Sequence, residues 1–152
     1  MSKKPIFKIR ETTPRDDRFR SNFERDGYQH LLSIINLNHA DVGYEQERIK
    51  YHTTQSYTPD FTLYGENGKV IHLEFKGRFL PRDRGKLIRV VKCNKDIDIR
   101  LVFQVDQRLS KTSKKYYTQW AEDHNIPFAI KRVPEEWIKE LYSNDKNPSS
   151  NS

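Results

Sequence analysis

The sequence has a single cysteine, Cys93, in 152 residues, which excludes an intrachain disulfide framework and any zinc site built from several cysteines. It also has no apolar run approaching the length of a membrane span, so no transmembrane helix is expected. The basic first ten residues lack the apolar stretch of a secretion signal. With the lone thiol, this points to a reducing, cytoplasmic setting. Cys93 falls in an expected helix beside Val90 and Val91, and it reads as a buried or half-buried inert thiol rather than a nucleophile. There is no internal repeat. The five histidines (His30, His39, His52, His72 and His124) show no ligand spacing. Acidic residues are in deficit, 21 against 28 Lys and Arg, and the net charge of +7 favours a polyanionic partner, nucleic acid first.

The length fits one compact domain. Residues 1–18 carry Lys3, Lys4, Lys8, Arg10, Arg15 and Arg18 with few hydrophobes and read as a mobile basic arm. Residues 143–152 are rich in Asn and Ser and read as a disordered tail, which leaves 19–142 as the folded domain. Within it the spacing predicts helices over 22–36, 82–94, 116–125 and 135–142, the first capped by Ser21 and the last begun at Pro134. Strands are expected over 44–51, 58–64, 69–76, 99–103 and 128–131. The order β-β-α-β-α-β with helices on either side implies an α/β fold with a mixed sheet. Trp120 and Trp137 read as core anchors.

The chemistry-bearing stretch is Thr58-Pro59-Asp60, a turn, then Leu73-Glu74-Phe75-Lys76. Whether Asp60 and Glu74 share a face depends on the turn, because a one-residue change of register flips every side chain. A two-residue Asn67-Gly68 turn would set Asp60 opposite Phe75 and break the site. A three-residue loop, Glu66-Asn67-Gly68, pairs Gly65 with Lys69, sets Asp60 opposite Glu74 and puts Gly68 at the left-handed position such loops need. The three-residue register is the expectation. It brings two mutually repelling carboxylates together with Lys76 on the same side. A divalent cation resolves that repulsion, and hard oxygen ligands suit Mg²⁺ or Mn²⁺, two ions per site, for work on a phosphate. Lys76 would orient or deprotonate the attacking water. The competing reading is a solvated strand face with weak cross-strand ion pairs. Arg78, Arg82, Arg84, Lys86, Arg89 and Lys92, which surround the lone acid Asp83, are candidate DNA contacts; an ordinary solvated helix face is their alternative.

Pro59-Asp60 followed by Glu74-Phe75-Lys76 resembles the signature of the restriction-endonuclease-like nuclease superfamily. Phe19-Arg20-Ser21, Glu24, Tyr57-Thr58-Pro59-Asp60-Phe61, Glu74-Phe75-Lys76-Gly77, Asp98-Ile99-Arg100 and Glu136-Trp137-Ile138-Lys139 further resemble the phage endonuclease I family of Holliday-junction resolvases, over residues 19–140. The resemblance implies a restriction-endonuclease-like sheet in a domain-swapped homodimer, with 44–51 as the bridge between lobes, acting on four-way DNA junctions. It also implies a role for Glu24 in the catalytic and metal-binding set with Asp60 and Glu74, completed by Lys76. Taken without the resemblance, Ser21-Asn22-Phe23-Glu24 is a capping box in which Glu24 serves the helix start.

The chain departs from the family pattern in a longer connection around residues 36–43 and in a tail rich in Asn and Ser instead of Lys. The family's further acidic position falls near Gly43 and Tyr44, and Glu45 is left out of the catalytic set. Two other functions remain open: a basic DNA-binding module whose acids only shape the fold, and a restriction- or repair-type endonuclease on linear duplex.

Overall fold

The computed structural model describes residues 19–36, 40–51 and 55–142. The basic arm and the Asn/Ser tail expected above lie outside these residues, as do His39 and His52. Helix α1 (Asn22–Ile34) is followed by strand β1 (Ala40–Tyr44), a short pair β2 (Ile49–Lys50) and β3 (Ser56–Tyr57), and the hairpin β4 (Phe61–Gly65) and β5 (Val70–Lys76). Then come α2 (Pro81–Cys93), β6 (Ile99–Phe103), α3 (Tyr117–Asp123), β7 (Phe128–Ile130) and α4 (Glu135–Lys139). Five strands form one mixed sheet in the order β1-β4-β5-β6-β7, antiparallel on the β1-β4-β5 side and parallel from β5 to β7. The mixed α/β architecture expected from the sequence is therefore present.

The hairpin adopts the three-residue register. Phe61 faces Leu73 and Tyr64 faces Val70, the Gly65 N–H donates to the Lys69 carbonyl at 2.8 Å, and Gly68 takes φ 82. In this loop conformation any other residue at Gly68 would be strained.

Alternation then sorts the two cores. Phe61, Leu63, Ile71, Leu73 and Phe75 face α1 in a cluster with Tyr28 and Leu31, joined by Ile138 and Leu141 from the end of the domain. The parallel register sets Glu74 beside Leu101, and Ile99, Leu101 and Phe103 pack with α2 and α3 in the second cluster, through Leu87, Val90 and Trp120. Both faces of the sheet are thus covered. All five residues of β6 are buried, as its near-continuous apolar run requires.

The exception on β6 is Arg100, 5% exposed. Its guanidinium donates to both oxygens of Asp98 at 2.7 Å and to Glu140 at 2.6 and 3.2 Å, and it lies 5.2 Å over the Trp137 ring. This clamp fastens the chain after α4 to the end of the sheet where β5 and β6 begin.

Two expectations are corrected. The strand expected over 44–51 ends where it was expected to start: β1 runs up to Tyr44, Glu45 turns left-handed at φ 47, and only Ile49–Lys50 is extended beyond it. The run Glu45-Gln46-Glu47-Arg48 supplies no apolar alternation to bury, whereas Ala40 and Val42 are buried against β4. The bridge that was to span this stretch is accordingly not formed as one strand in the described chain. Cys93 is exposed at the end of α2, off the face that Leu87 and Val90 present to the core.

Helix α1 approaches the sheet closely at Gly27, where a built Cβ would lie 2.0 Å from the Phe75 ring. Gly27→Ala is expected to destabilise the protein by about 1–3 kcal/mol through overpacking, against the preference of about 1 kcal/mol for Ala over Gly in a helix. Urea unfolding of the variant checks this, and unchanged or raised stability would contradict the close contact.

Candidate active site

Pro59 ends the pairing of β4, and β5 runs on past it to Lys76. The Phe75 N–H, left without a strand partner on that side, donates to Asp60 Oδ2 at 2.8 Å. Asp60 thus lies across from Glu74 as the three-residue register requires, and both are buried, 2% and 6% exposed. Lys76 follows on the same face, its Nζ 2.8 Å from Glu74 Oε1 and 3.6 Å from Asp83 Oδ1. Glu74 also accepts a short hydrogen bond from the Tyr57 hydroxyl.

Glu24, 8% exposed, reaches the same end of the sheet from α1. Its backbone N–H donates to Ser21 Oγ at 3.1 Å, so Ser21 caps the helix as expected. The Glu24 carboxylate accepts instead from the Arg20 N–H at 3.1 Å and from the Tyr44 hydroxyl at 2.8 Å. Only the Ser21 half of the expected capping box is thus present, and the Glu24 carboxylate turns to Arg20 and Tyr44 beside the cavity. Arg20 sends its guanidinium to Asp60 Oδ1 at 2.9 Å and to Glu45 Oε1 at 2.9 Å, with Glu24 Oε1 at 3.9 Å. Glu24, Asp60, Glu74 and Lys76 all line one cavity of about 470 Å³, shared with Asp83 and Lys86 at the start of α2.

The electrostatics follow from burial. Burial, together with the charge of Glu74, pushes the Asp60 carboxyl up to about 8, although the Phe75 N–H works the other way. The Arg20 guanidinium favours the charged form, but with its side chain 65% exposed and screened by solvent it leaves the carboxyl raised. Burial works against the charge on Lys76, but Glu74, Asp83 and Asp60 outweigh it and hold the ammonium above its ordinary value. Burial and then Glu74 push the Tyr57 phenol well above its usual range, so it remains a donor.

The donor chemistry suits a hard divalent cation at Asp60 and Glu74. Both line one cavity, and burial together with the charge of Glu74 penalises the ionised form of Asp60, a cost that a bound cation would relieve. Among the described residues, however, no three His, Cys, Asp or Glu side chains come together closely enough to hold a metal. Glu24 lines the cavity without joining Asp60 and Glu74 in a compact trio.

The six candidate DNA contacts divide. Arg78, Arg82, Arg89 and Lys92 are exposed, and Lys86 lines the cavity. Arg84 donates to the Phe79 carbonyl and lies over its ring, so its charge is partly committed to the start of its own helix. Arg20, Tyr44, Glu45 and Tyr57 received no role from the sequence. Arg20 and Tyr57 stood within the matched motif clusters, but only the docking of α1 and the β2-β3 pair brings them to the carboxylates.

A family model described as Phage endonuclease I matches residues 7–149. Endonuclease I of Escherichia phage T7 is 39% identical over 101 residues, which cover 64% of this chain and 65% of that protein. Endodeoxyribonuclease 1 of Enterobacteria phage T3 is 41% identical over 101 residues, or 64% of each chain. The chain thus spans just under two thirds of the length of these curated relatives. With the family model matching nearly its whole length, the chain belongs to the phage endonuclease I family.

Proposed function

We propose that this protein is a metal-dependent endodeoxyribonuclease that hydrolyses phosphodiesters in branched DNA and resolves four-way junctions. The observation that carries the reading is that Asp60, held by the Phe75 N–H one step beyond the Phe61–Leu73 pair, lines one cavity with Glu74 and Lys76. The names of the T7 and T3 relatives, an endonuclease and an endodeoxyribonuclease, agree with it. Asp60 and Glu74 would hold Mg²⁺ or Mn²⁺, two ions in the complete site, which would supply Lewis-acid chemistry for the scissile phosphate and its attacking water. Glu24 positions water or an outer ligand at the cavity wall. Lys76, held protonated, orients the water and stabilises charge developing on the phosphate rather than acting as the base. Tyr57 fixes the rotamer of Glu74 through its hydroxyl. A junction offers two strands to cut, and a symmetric homodimer acting in the host cytoplasm presents two such sites.

The decisive experiment is cleavage of a four-way junction and of its matched linear duplex, in Mg²⁺ and in EDTA, by the wild type and by Glu74→Ala. Cutting of the junction alone, dependent on metal and lost in the variant, supports the proposal. Equal cutting of both substrates retains the nuclease and removes the branch preference. A folded protein that binds DNA in Mg²⁺ without cutting it would be a binding module.

Asp60→Ala and Glu74→Ala are expected to bring cleavage to background with junction binding retained, and Lys76→Ala to slow it by about 10²- to 10⁴-fold. Tyr57→Phe should weaken metal binding by about 10- to 100-fold, measured by calorimetry on the DNA-free protein. The raised Asp60 carboxyl also predicts a pH dependence. Because ionising it costs more in the folded than in the unfolded chain, its contribution to stability is full below about pH 4 and is lost as pH rises towards 8. Melting temperature without metal should therefore fall across that window, Mg²⁺ should restore it most at the alkaline end, and Asp60→Asn should flatten both effects.

A further inference from the structure

The parallel half of the sheet brings three chain segments to the end that carries the candidate site. The Gln104 N–H donates to the Lys76 carbonyl at 3.0 Å, so the loop after β6 starts directly beside the site lysine. The Lys131 N–H donates to the Phe103 carbonyl at 2.7 Å, which places the turn after β7 next in line. Two strand spacings put Lys131 roughly 10 Å from β5.

These two segments are basic. The β6–α3 loop carries Arg108, Lys111 and Lys114, and the β7–α4 turn carries Lys131 and Arg132; all five are exposed, and none has a carboxylate partner among the described residues. The acid within the loop, Asp106, is occupied by the Thr118 N–H and hydroxyl at 3.2 and 2.8 Å. The other end of the sheet mixes paired and exposed cations, Lys95 and Lys139 being exposed there. There the cations Lys69 and Arg100 are matched by Asp98 and Glu140.

The loop is also held in shape. Arg108 bridges to Tyr116, and the Leu109 N–H donates to the Lys115 carbonyl at 2.9 Å. At the tip the Ser113 N–H donates to Ser110 Oγ at 3.1 Å, and the Lys115 N–H donates to Ser113 Oγ at 3.1 Å. A loop ordered before binding loses less entropy on meeting a ligand. Lys131 takes φ 70, a conformation that costs a residue other than glycine about 1–2 kcal/mol, so a long cation stands where glycine would be easier.

We propose that the β6–α3 loop and the β7–α4 turn form a backbone-binding rim for a duplex arm of the DNA substrate, with Lys111, Lys114, Lys131 and Arg132 neutralising successive phosphates along the carboxyl ends of the strands, the last two where the turn meets α1 and shares a hollow with Asp26 and His30. The inference rests on the nuclease reading and adds to it the place of one arm, across the carboxyl ends of β5, β6 and β7. Contacts of this kind position the substrate without reading its sequence.

The test uses the full chain in EDTA, so that nothing is cut, and measures binding to a four-way junction, a linear duplex and a single-stranded oligonucleotide over a range of salt concentrations. Each phosphate contact removed lowers the slope of log K against log salt by about 0.9. Lys111→Ala/Lys114→Ala and Lys131→Ala/Arg132→Ala should each lower the slope on junction and duplex by about 1.8, with melting temperature unchanged. Lys95→Ala/Lys139→Ala, exposed at the far end of the sheet, should leave the slope as it is. Unaltered slopes in both rim variants, or losses equal to those of the control pair, overturn the rim. Losses confined to the single strand overturn the duplex assignment. Cleavage of the junction in Mg²⁺ by the wild type, run alongside, separates the two levels: cutting with unaltered slopes defeats the rim alone, while a wild type that neither binds nor cuts DNA defeats both.

Discussion

Close approach of the Asp60 and Glu74 carboxylates is the constraint around which this molecule is arranged. It is set by the three residues between Gly65 and Lys69, where Gly68 supplies the left-handed backbone the loop requires. One residue fewer would turn Asp60 towards α1 and leave Glu74 alone on its face. The same register fixes which residues make up each core, because the side chains that alternate with Asp60 and Glu74 are Phe61, Leu73 and Phe75. Packing and chemistry are therefore read from one choice, and a shift that spoiled one would spoil the other.

Holding two buried acids side by side requires that each oxygen be answered, since an unpaired buried charge costs several kcal/mol. The answers come from every element that reaches this end of the sheet: the Phe75 N–H and Arg20 for Asp60, Lys76 and Tyr57 for Glu74, Tyr44 and the Arg20 N–H for Glu24. Arg20 and Lys76 bring positive charge but leave Asp60 raised. That remainder is the physical argument for a cation, and it arises from burial before any comparison with relatives is made.

What could be read in advance followed from local rules. The hairpin loop has a composition that favours one geometry, so Asp60 and Glu74 could be placed from the sequence alone. The buried run Ile99-Arg100-Leu101-Val102-Phe103 announced an interior strand. The edge strand was misplaced because Gly43 and the polar residues before Ala40 look like a connection, while its burial depends on β4, a partner distant in sequence. β2 exists only through its pairing with β3. Arg20, Tyr44 and Tyr57 could not be assigned roles because each acts across a contact between elements, which periodicity does not encode. Cys93 was misjudged because its apolar neighbours, not its own angular position on α2, set the expectation.

The contact between Gly27 and Phe75 has a consequence for when the protein becomes competent. Helix α1 is made early during synthesis, yet the cluster it packs into includes Val133, Ile138 and Leu141 from the far end of the domain. Glu24 and Arg20 take their places only when α1 docks, and α1 has its full packing only once those late residues have emerged. A chain still on the ribosome thus holds the carboxylate strands without the helix firmly seated over them. The order of synthesis keeps the carboxylate cavity incomplete until the domain is whole.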